Sequence, residues 1–165
     1  MKYAIRIFVF IAGVVLVLTG SAQAAKPPQV PPDLTKGETN GVELARTYNL
    51  GPTGLRGWIY TKAATYFDSV QGRTTTDSRQ ILVTHVGTNS PAYGVMQTND
   101  VILGINGKLF DSDARQAFGR AITEAEKTAN NGVMNLIRWR TDSSTELRAG
   151  KIENVQIKLK VMGSY

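Results

Sequence analysis

The sequence predicts an α+β fold: a small, partly open barrel or sandwich of roughly five to six strands, capped by one short and one long helix. Short apolar runs recur along the chain between turns of Gly, Asn and Pro, which is typical of strands. Only one long stretch has helical periodicity. Strands therefore dominate and the helices are isolated among them, which disfavours a doubly wound sheet.

Residues 1–24 have the three-part layout of a secretory signal peptide. Lys2 and Arg6 give a positive start, residues 7–18 form an apolar run, and Ala22 and Ala24 are small residues at a cleavage site. The apolar run is shorter than the roughly 20 residues of a transmembrane helix. We therefore expect cleavage and an exported chain, periplasmic or secreted. The alternative is an uncleaved segment that anchors the protein in the membrane.

The composition argues against an enzyme. The chain has no cysteine, which excludes a lipoprotein anchor, a disulfide framework and a thiolate metal site. The single histidine, His85, lies in an apolar run, so we expect a structural residue rather than a base or a metal ligand. Neither a Gly-x-Ser-x-Gly elbow nor a phosphate-binding loop occurs. We predict a non-catalytic protein without metal or cofactor.

The basic residues are scattered, and the formal net charge is +6. The densest group holds Arg138, Arg140, Arg148 and Lys151. Alternation along a strand would place Arg138 and Arg140 on the same face. We expect a solvated basic face rather than a nucleic-acid site, and export argues in the same direction. No nucleic-acid partner is predicted.

Residues 25–41 are predicted to be an extended, uncovered tether. Four prolines lie in this stretch among polar residues: Pro27, Pro28, Pro31 and Pro32. Proline lacks a backbone donor and fixes φ, so such a segment does not join a sheet or a helix. A single domain, residues 42–165, is expected to follow and to begin near Val42.

The first half of the domain predicts strands joined by turns. Gly51-Pro-Thr-Gly54 is a turn, and residues 56–60 follow as a short strand. Residues 63–79 are polar and predict a long hairpin or loop. Residues 80–86 are an apolar run suited to a buried strand. Asn89-Ser-Pro-Ala92 is expected to open the short helix, since proline suits a first helical position.

The second half predicts four further strands and a tight turn. Residues 100–106 read as a strand that ends in Asn106-Gly107, a strong tight-turn signal, and residues 108–110 resume as a brief strand. Residues 133–140 are also predicted to form a strand. Residues 155–161 alternate between apolar and polar, which predicts a strand with one wet face.

The long helix is predicted to begin at Ser112, a good N-cap. Its apolar face repeats at spacings of three and four. That face comprises Ala114, Ala117, Phe118, Ala121, Ile122 and Ala125. Asn130-Asn-Gly132 is expected to end the helix, because asparagine and glycine adopt the left-handed cap.

Two motifs resemble bacterial PDZ domains. Residues 81–92 (ILVTHVGTNSPA) resemble the family's strand and Gly-Ser-Pro-Ala turn, and residues 100–107 (DVILGING) resemble its next strand and turn. The long helix and closing strands follow in the family's order, so the similarity covers residues 50–161. Asn89 and Asn99 stand where the family usually has glycine, and asparagine tolerates positive φ.

Other segments resemble the amino-terminal PDZ-like module of large, uncharacterised exported bacterial proteins. They are residues 113–127, 136–140 and 158–162. In those proteins a helical domain follows the module. This resemblance implies that the chain is a fragment of a larger protein or has lost its partner domain.

The PDZ resemblance implies a peptide groove between a strand edge and the long helix. Its residues would be Leu55, Arg56, Gly57, Trp58, Ile59, Tyr60, Ala114, Ala117 and Ala121. Backbone amides of Leu55 to Trp58 would hold a terminal carboxylate, and Arg56, which departs from the apolar residue of the family pattern, would add charge. Plainer interpretations stay open: turn glycines, a solvated Arg56, a core Trp58 and alanines that pack on the sheet.

The resemblance thus implies a module that binds a protein or peptide, as an extended or carboxyl-terminal segment, by strand addition. Two alternatives stay open. The domain is a structural module between domains of a larger protein, or it regulates an exported protease. The only membrane contact predicted is through an uncleaved signal peptide.

Overall fold

The structure is a computed structural model. It describes residues 31–38, 46–60, 67–68, 73–74, 78–111, 113–142 and 149–162. The predicted signal peptide, the first part of the predicted tether and the boundary at Val42 lie outside these residues. Within them, no helix has both the length and the apolar character that crossing a membrane requires.

The predicted α+β class is confirmed. Most strands join one antiparallel sheet of order β1-β2-β5-β6-β8-β9, in which β7 also pairs with β6, while β3 pairs only with β4. The strands are β1 Tyr48–Asn49, β2 Leu55–Ile59, β3 Phe67–Asp68, β4 Arg73–Thr74, β5 Ile81–Val86, β6 Val101–Ile105, β7 Lys108–Leu109, β8 Val133–Thr141 and β9 Gly150–Lys158. Among the described residues the single α-helix is α1, Ala114–Ala125. This open sheet is compatible with a small open barrel.

Helix α1 begins where Asp113 caps it. The Asp113 carboxylate accepts a hydrogen bond from the Gln116 amide at 3.0 Å. The predicted cap, Ser112, lies outside the described residues. The helix ends at Ala125, earlier than the sequence predicts, and a 3-10 turn at Thr128–Asn130 follows. Asn131 then takes the left-handed conformation that was expected at this end of the helix, with φ 50°.

The predicted short helix at Asn89 to Ala92 is wrong, because residues 88–96 form successive turns. The Tyr93 amide donates to the Ser90 carbonyl at 2.9 Å, and the Met96 amide donates to the Ala92 carbonyl at 2.9 Å. Asn89 has φ 61° and Gly94 has φ 78°, so left-handed residues bracket the segment and stop a helix from extending in either direction.

Two asparagines adopt the positive φ that the sequence allowed for them. Asn89 and Asn99 have φ values of 61° and 73°, and Asn106 in the predicted Asn-Gly turn has φ 51°. The predicted hairpin in residues 63–79 is confirmed where it is described, because Phe67 pairs with Thr74. Strand β9 begins at Gly150 rather than at residue 155. The sequence did not predict its first half, because those residues are mostly exposed and lack the apolar alternation that marks a half-buried strand.

The sheet is apolar on both faces. Helix α1 and the turns at residues 88–96 cover one face, around Phe118, Leu136 and Ile102. The other face holds Trp58, Leu82, Val101, Leu103, Ile137 and Trp139, together with Leu34. We call these the helix layer and the tryptophan layer. The burial of Trp58 in the second confirms the core interpretation of that residue.

Leu34 corrects the predicted tether. Residues 34–36 form a 3-10 turn, and the Leu34 side chain is only 4% exposed within the tryptophan layer. The Leu34 amide donates to Gln80 Oε1 at 2.6 Å, and Gln80 Nε2 donates to Asp33 Oδ1 at 3.1 Å. An apolar side chain that closely follows two prolines can thus dock even where proline prevents strand pairing.

Candidate functional site

Strand β2 lies between β5 and β1, so the edge predicted to be open is partly covered by the chain itself. Tyr48 lies opposite Gly57, and Asn49 lies opposite Arg56, in an antiparallel register. The Leu50 amide extends this pairing by donating to the Leu55 carbonyl at 2.9 Å. Alternate pairs of such a ladder exchange backbone bonds, so Gly57 exchanges them with Tyr48.

The side chains of β2 alternate between the two apolar layers. Leu55 and Ile59 are buried in the helix layer, and Trp58 is buried in the tryptophan layer. Tyr60 follows the strand, with its ring centroid 6.3 Å from that of Trp58 in an edge-on contact. Leu55, Trp58 and Ile59 are therefore core residues, and an incoming segment would meet their backbone rather than their side chains.

Gly57 lies in the strand and not in a turn. A Cβ atom there would lie 2.6 Å from Ile81 Cγ2 and 3.2 Å from Leu50 Cδ1. Such separations are shorter than ordinary carbon contacts, so any side chain at this position would push β5 or Leu50 away. Gly57 permits close packing of the neighbouring strands at the centre of the predicted site.

The amides of the glycine-rich turn already have acceptors. The Gly51 amide donates to Asn49 Oδ1 at 2.9 Å, and the Leu55 amide donates to Thr53 Oγ1 at 3.2 Å. The Gly54 amide donates to the Gly51 carbonyl at 3.3 Å. A carboxylate that binds here must replace these acceptors, so the turn is not a vacant anion site.

Arg56 is exposed, and its guanidinium binds the residue just before β1. Nε and Nη2 each donate to Thr47 Oγ1 at 3.1 Å, and Nη2 also donates to the Thr47 carbonyl at 3.2 Å. Hydrogen bonds at the surface compete with water, so this contact is readily exchanged. Arg56 is the residue of the predicted site best placed to meet a carboxylate.

Helix α1 presents different flanks to different parts of the sheet. The Arg115 guanidinium lies over the Tyr48 ring, 5.3 Å from its centroid. Ile122, half-buried, places Cδ1 3.2 Å from where a Cβ atom on Gly51 would lie. One flank of the helix therefore faces β1 and the glycine-rich turn.

The three predicted groove alanines are not on that flank. Ala114 is fully buried, as the packing interpretation predicted. Ala117 and Ala121 line a shallow depression of about 230 Å³ on the opposite flank, beside β7 residue Leu109 and Phe110. The structure thus brings the β2 residues together but places the alanines elsewhere.

Residues 47–50 and Arg115 complete the β2 edge instead. An apolar-polar alternation before a Gly-Pro-Thr-Gly turn is the signal that could have predicted them.

The predicted solvated basic face is wrong for Arg138 and Arg140. Arg138 is 6% exposed, donates to the Val95 carbonyl at 2.6 Å and pairs with Glu153. Arg140 binds both carboxylate oxygens of buried Asp100, at 2.7 and 2.6 Å. The hydrogen bonds that Arg140 donates to the Asp100 carboxylate raise the pKa of Arg140. Both arginines lie on the sheet face that carries the turns at residues 88–96, and they hold those turns against β8.

His85 is an exposed residue of β5 opposite Arg56, rather than part of the core. In the part of the chain that the structure describes, no cluster of three or more His, Asp or Glu side chains could hold a metal ion. The site therefore consists of a strand edge, a covering segment and two guanidinium groups, Arg56 and Arg115. These groups can bind an extended chain and an anion.

The comparisons with known proteins leave the family open. No protein-family model matches the chain, and no curated protein matches it.

Proposed function

We propose that the protein is a non-catalytic, exported peptide-binding module of the bacterial PDZ type, which adds an extended segment to the outer edge of β2. One observation supports this proposal above the others. That edge already accepts an extended segment, since residues 47–50 run antiparallel to β2 with Tyr48 opposite Gly57. Main-chain pairing of this kind is how strand addition gains affinity. The PDZ assignment itself rests on the two sequence motifs.

The same geometry sets the direction of a ligand. A segment that replaces residues 47–50 runs towards the glycine-rich turn, so its carboxyl end arrives near Arg56. The Arg56 guanidinium now binds Thr47, at the amino-terminal end of the segment, so it swings along the edge to reach a terminal carboxylate. It then exchanges hydrogen bonds to a neutral hydroxyl and carbonyl for an ion pair, which is stronger. The turn amides contribute less, because they already donate within the turn.

Selection of peptides with free carboxyl termini on the purified chain tests this function. We expect enrichment of a shared terminal motif, weaker binding after amidation of the peptide, and a loss of roughly tenfold for Arg56→Gln. Arg79→Gln, at another exposed arginine, is the matched control and should bind as the wild type does. Absence of any enriched peptide would contradict the proposal.

A second candidate function, a structural module that docks another domain, is favoured by a different surface. Ile152 on β9 is 64% exposed and Leu109 is 59% exposed. Together they border a depression of about 380 Å³ with Leu103 and Trp139 in its lining. Cross-linking in the exporting cell compares the wild type with Leu109→Ser/Ile152→Ser. A partner that only the wild type captures would support docking, whereas identical partners would oppose it.

A further inference from the structure

We infer that residues 47–50 are an internal ligand of the β2 edge, and that the external ligand is an extended segment with an aromatic side chain two residues before an aliphatic one. This inference rests on the proposed function and adds to it a ligand class and a competition within the chain. It follows from the side chains with which the internal segment occupies the edge.

The aromatic position is set by Gly57 and Arg115. Tyr48 lies opposite Gly57, and its half-buried ring packs against the helix layer. The Arg115 guanidinium covers the ring at 5.3 Å, a distance at which a cation attracts the face of an aromatic ring. A ligand residue that replaces Tyr48 meets the same cation, so tyrosine, phenylalanine or tryptophan is preferred there.

The aliphatic position is set two residues later. Leu50 is 4% exposed and belongs to the helix layer, and its Cδ1 approaches the space above Gly57. Between the two positions, Asn49 is exposed. The internal segment thus presents an aromatic residue inward, a polar residue outward and an aliphatic residue inward, which is the period of an added strand.

The internal segment is held weakly enough to be displaced. Strand β1 pairs with β2 at two positions, whereas β9 pairs with β8 at nine. The segment is also held by the exposed bonds from Arg56 to Thr47, by the Arg115–Tyr48 contact, and by Leu50, whose side chain is buried and whose amide donates to the Leu55 carbonyl. An internal competitor weakens the apparent affinity for an external ligand, because only those molecules in which the edge is uncovered can bind it.

The first test weakens the internal segment and measures binding of a probe. The probe is a synthetic peptide with the sequence of residues 45–50, ARTYNL. We expect the variant Thr47→Val/Tyr48→Ala of the full chain to bind this peptide roughly tenfold more tightly than the wild type. Replacing the tyrosine or the leucine of the peptide by alanine should remove most of that binding. Equal affinity for variant and wild type would overturn the inference.

Tyr93→Ala is the matched control, because Tyr93 is 59% exposed in the turns at residues 88–96 and lies outside the proposed site. It should bind the probe as the wild type does. If the double variant does not fold, Thr47→Val alone decides, since it removes only the side-chain acceptor of Arg56. A gain of about threefold is then expected, and no gain would overturn the inference.

The second test locks the internal segment in place. The chain has no cysteine, so Asn49→Cys/Arg56→Cys introduces a single cross-strand pair. Asn49 and Arg56 lie directly opposite at a non-hydrogen-bonded position, where the Cα separation suits a disulfide. Because Arg56 belongs to the proposed site, we expect the reduced form to bind the probe about as weakly as Arg56→Gln does, and the oxidised form to lose that remaining binding. Equal binding in both states would overturn the inference. If neither state binds, the Thr47→Val/Tyr48→Ala result decides, because that variant keeps both residues.

These outcomes separate the inference from the proposed function. The inference alone fails if peptides are enriched on the wild type but lack the aromatic-x-aliphatic pattern. It also fails if those peptides bind the oxidised Asn49→Cys/Arg56→Cys variant as tightly as the reduced one. The proposed function fails if neither the wild type nor the Thr47→Val/Tyr48→Ala variant enriches any peptide.

Discussion

The two ends of the sheet are held by contrasting means. At one end β8 and β9 pair along nine positions, while Arg138 and Arg140 tie β8 to the carbonyl of half-buried Val95 and to the buried Asp100 carboxylate. At the other end β1 covers β2 at two positions, assisted by exposed bonds from Arg56. Long ladders with buried polar contacts are costly to open, whereas short ladders at the surface are not. The β8–β9 end is therefore the scaffold end of the sheet, and the β1–β2 end is the exchangeable end, where the partner strand can be replaced.

The largest effect is expected at the scaffold end. Asp100 is 1% exposed and accepts both bonds of the Arg140 fork as well as the Gln97 amide. Asp100→Ala leaves these donors without an acceptor and should lower the free energy of unfolding by about 3 kcal/mol. Denaturant titration measures it. Asp111→Ala, at an exposed aspartate, is the control and should change stability by about 0.5 kcal/mol or less. Equal effects at both positions would refute the buried network.

Docking of residues 31–38 predicts the next effect. Leu34→Ala removes a side chain buried in the tryptophan layer and should cost about 2 kcal/mol, the low end for such a truncation because the segment can relax. Lys36→Ala, whose side chain is 68% exposed in the same turn, serves as the control and should be nearly neutral. If Leu34→Ala is as neutral as the control, the segment is an uncovered tether after all.

A smaller effect is expected at the exchangeable end. Tyr48→Ala removes the ring beneath Arg115 and should lower the free energy of unfolding by about 1 kcal/mol. Thermal unfolding of this variant beside Asp100→Ala measures the difference between the two ends directly. A loss at Tyr48 as large as that at Asp100 would mean that β1 is part of the scaffold.

The smallest effect is a pH dependence of the docked amino-terminal turn. Partial burial tends to raise the pKa of Asp33, but hydrogen bonds from Gln80 and Thr35 outweigh it and bring the pKa from 3.8 to about 2. A carboxyl whose pKa is lower in the folded state stabilises the fold above its unfolded pKa and loses that contribution as the pH falls. The wild type should therefore exceed Asp33→Asn in stability above pH 4 or so and converge with it towards about pH 2. Parallel curves would contradict this.

The sequence predicted elements whose signals are local. Asparagines at turns, apolar runs and the three-four spacing of α1 each depend on neighbours along the chain. Residue 49 pairs with residue 56, but the apolar-polar alternation of residues 48–50 before the turn is only three residues long and does not stand out from a loop. The sequence therefore predicted β2 and missed the segment that covers it.

The contacts of the two buried arginines and the surroundings of Ala117 and Ala121 could not be predicted, because they join residues that are far apart in the sequence. Arg140 meets an aspartate 40 positions away, and Arg138 meets a carbonyl 43 positions away, so neither could be distinguished from a solvated side chain. Ala117 and Ala121 share the predicted apolar face of α1. The strand that each flank meets depends on how the helix packs across the sheet.

Hydrogen exchange of the wild-type chain with and without the ARTYNL peptide tests most directly whether the β1 segment is exchangeable. Strand addition at β2 predicts that the Tyr48 amide loses protection when the peptide binds, while Gly57 keeps its protection and Leu136 on β8 is unchanged. If the peptide binds and the Tyr48 amide stays protected, the segment is a fixed strand and the peptide binds elsewhere.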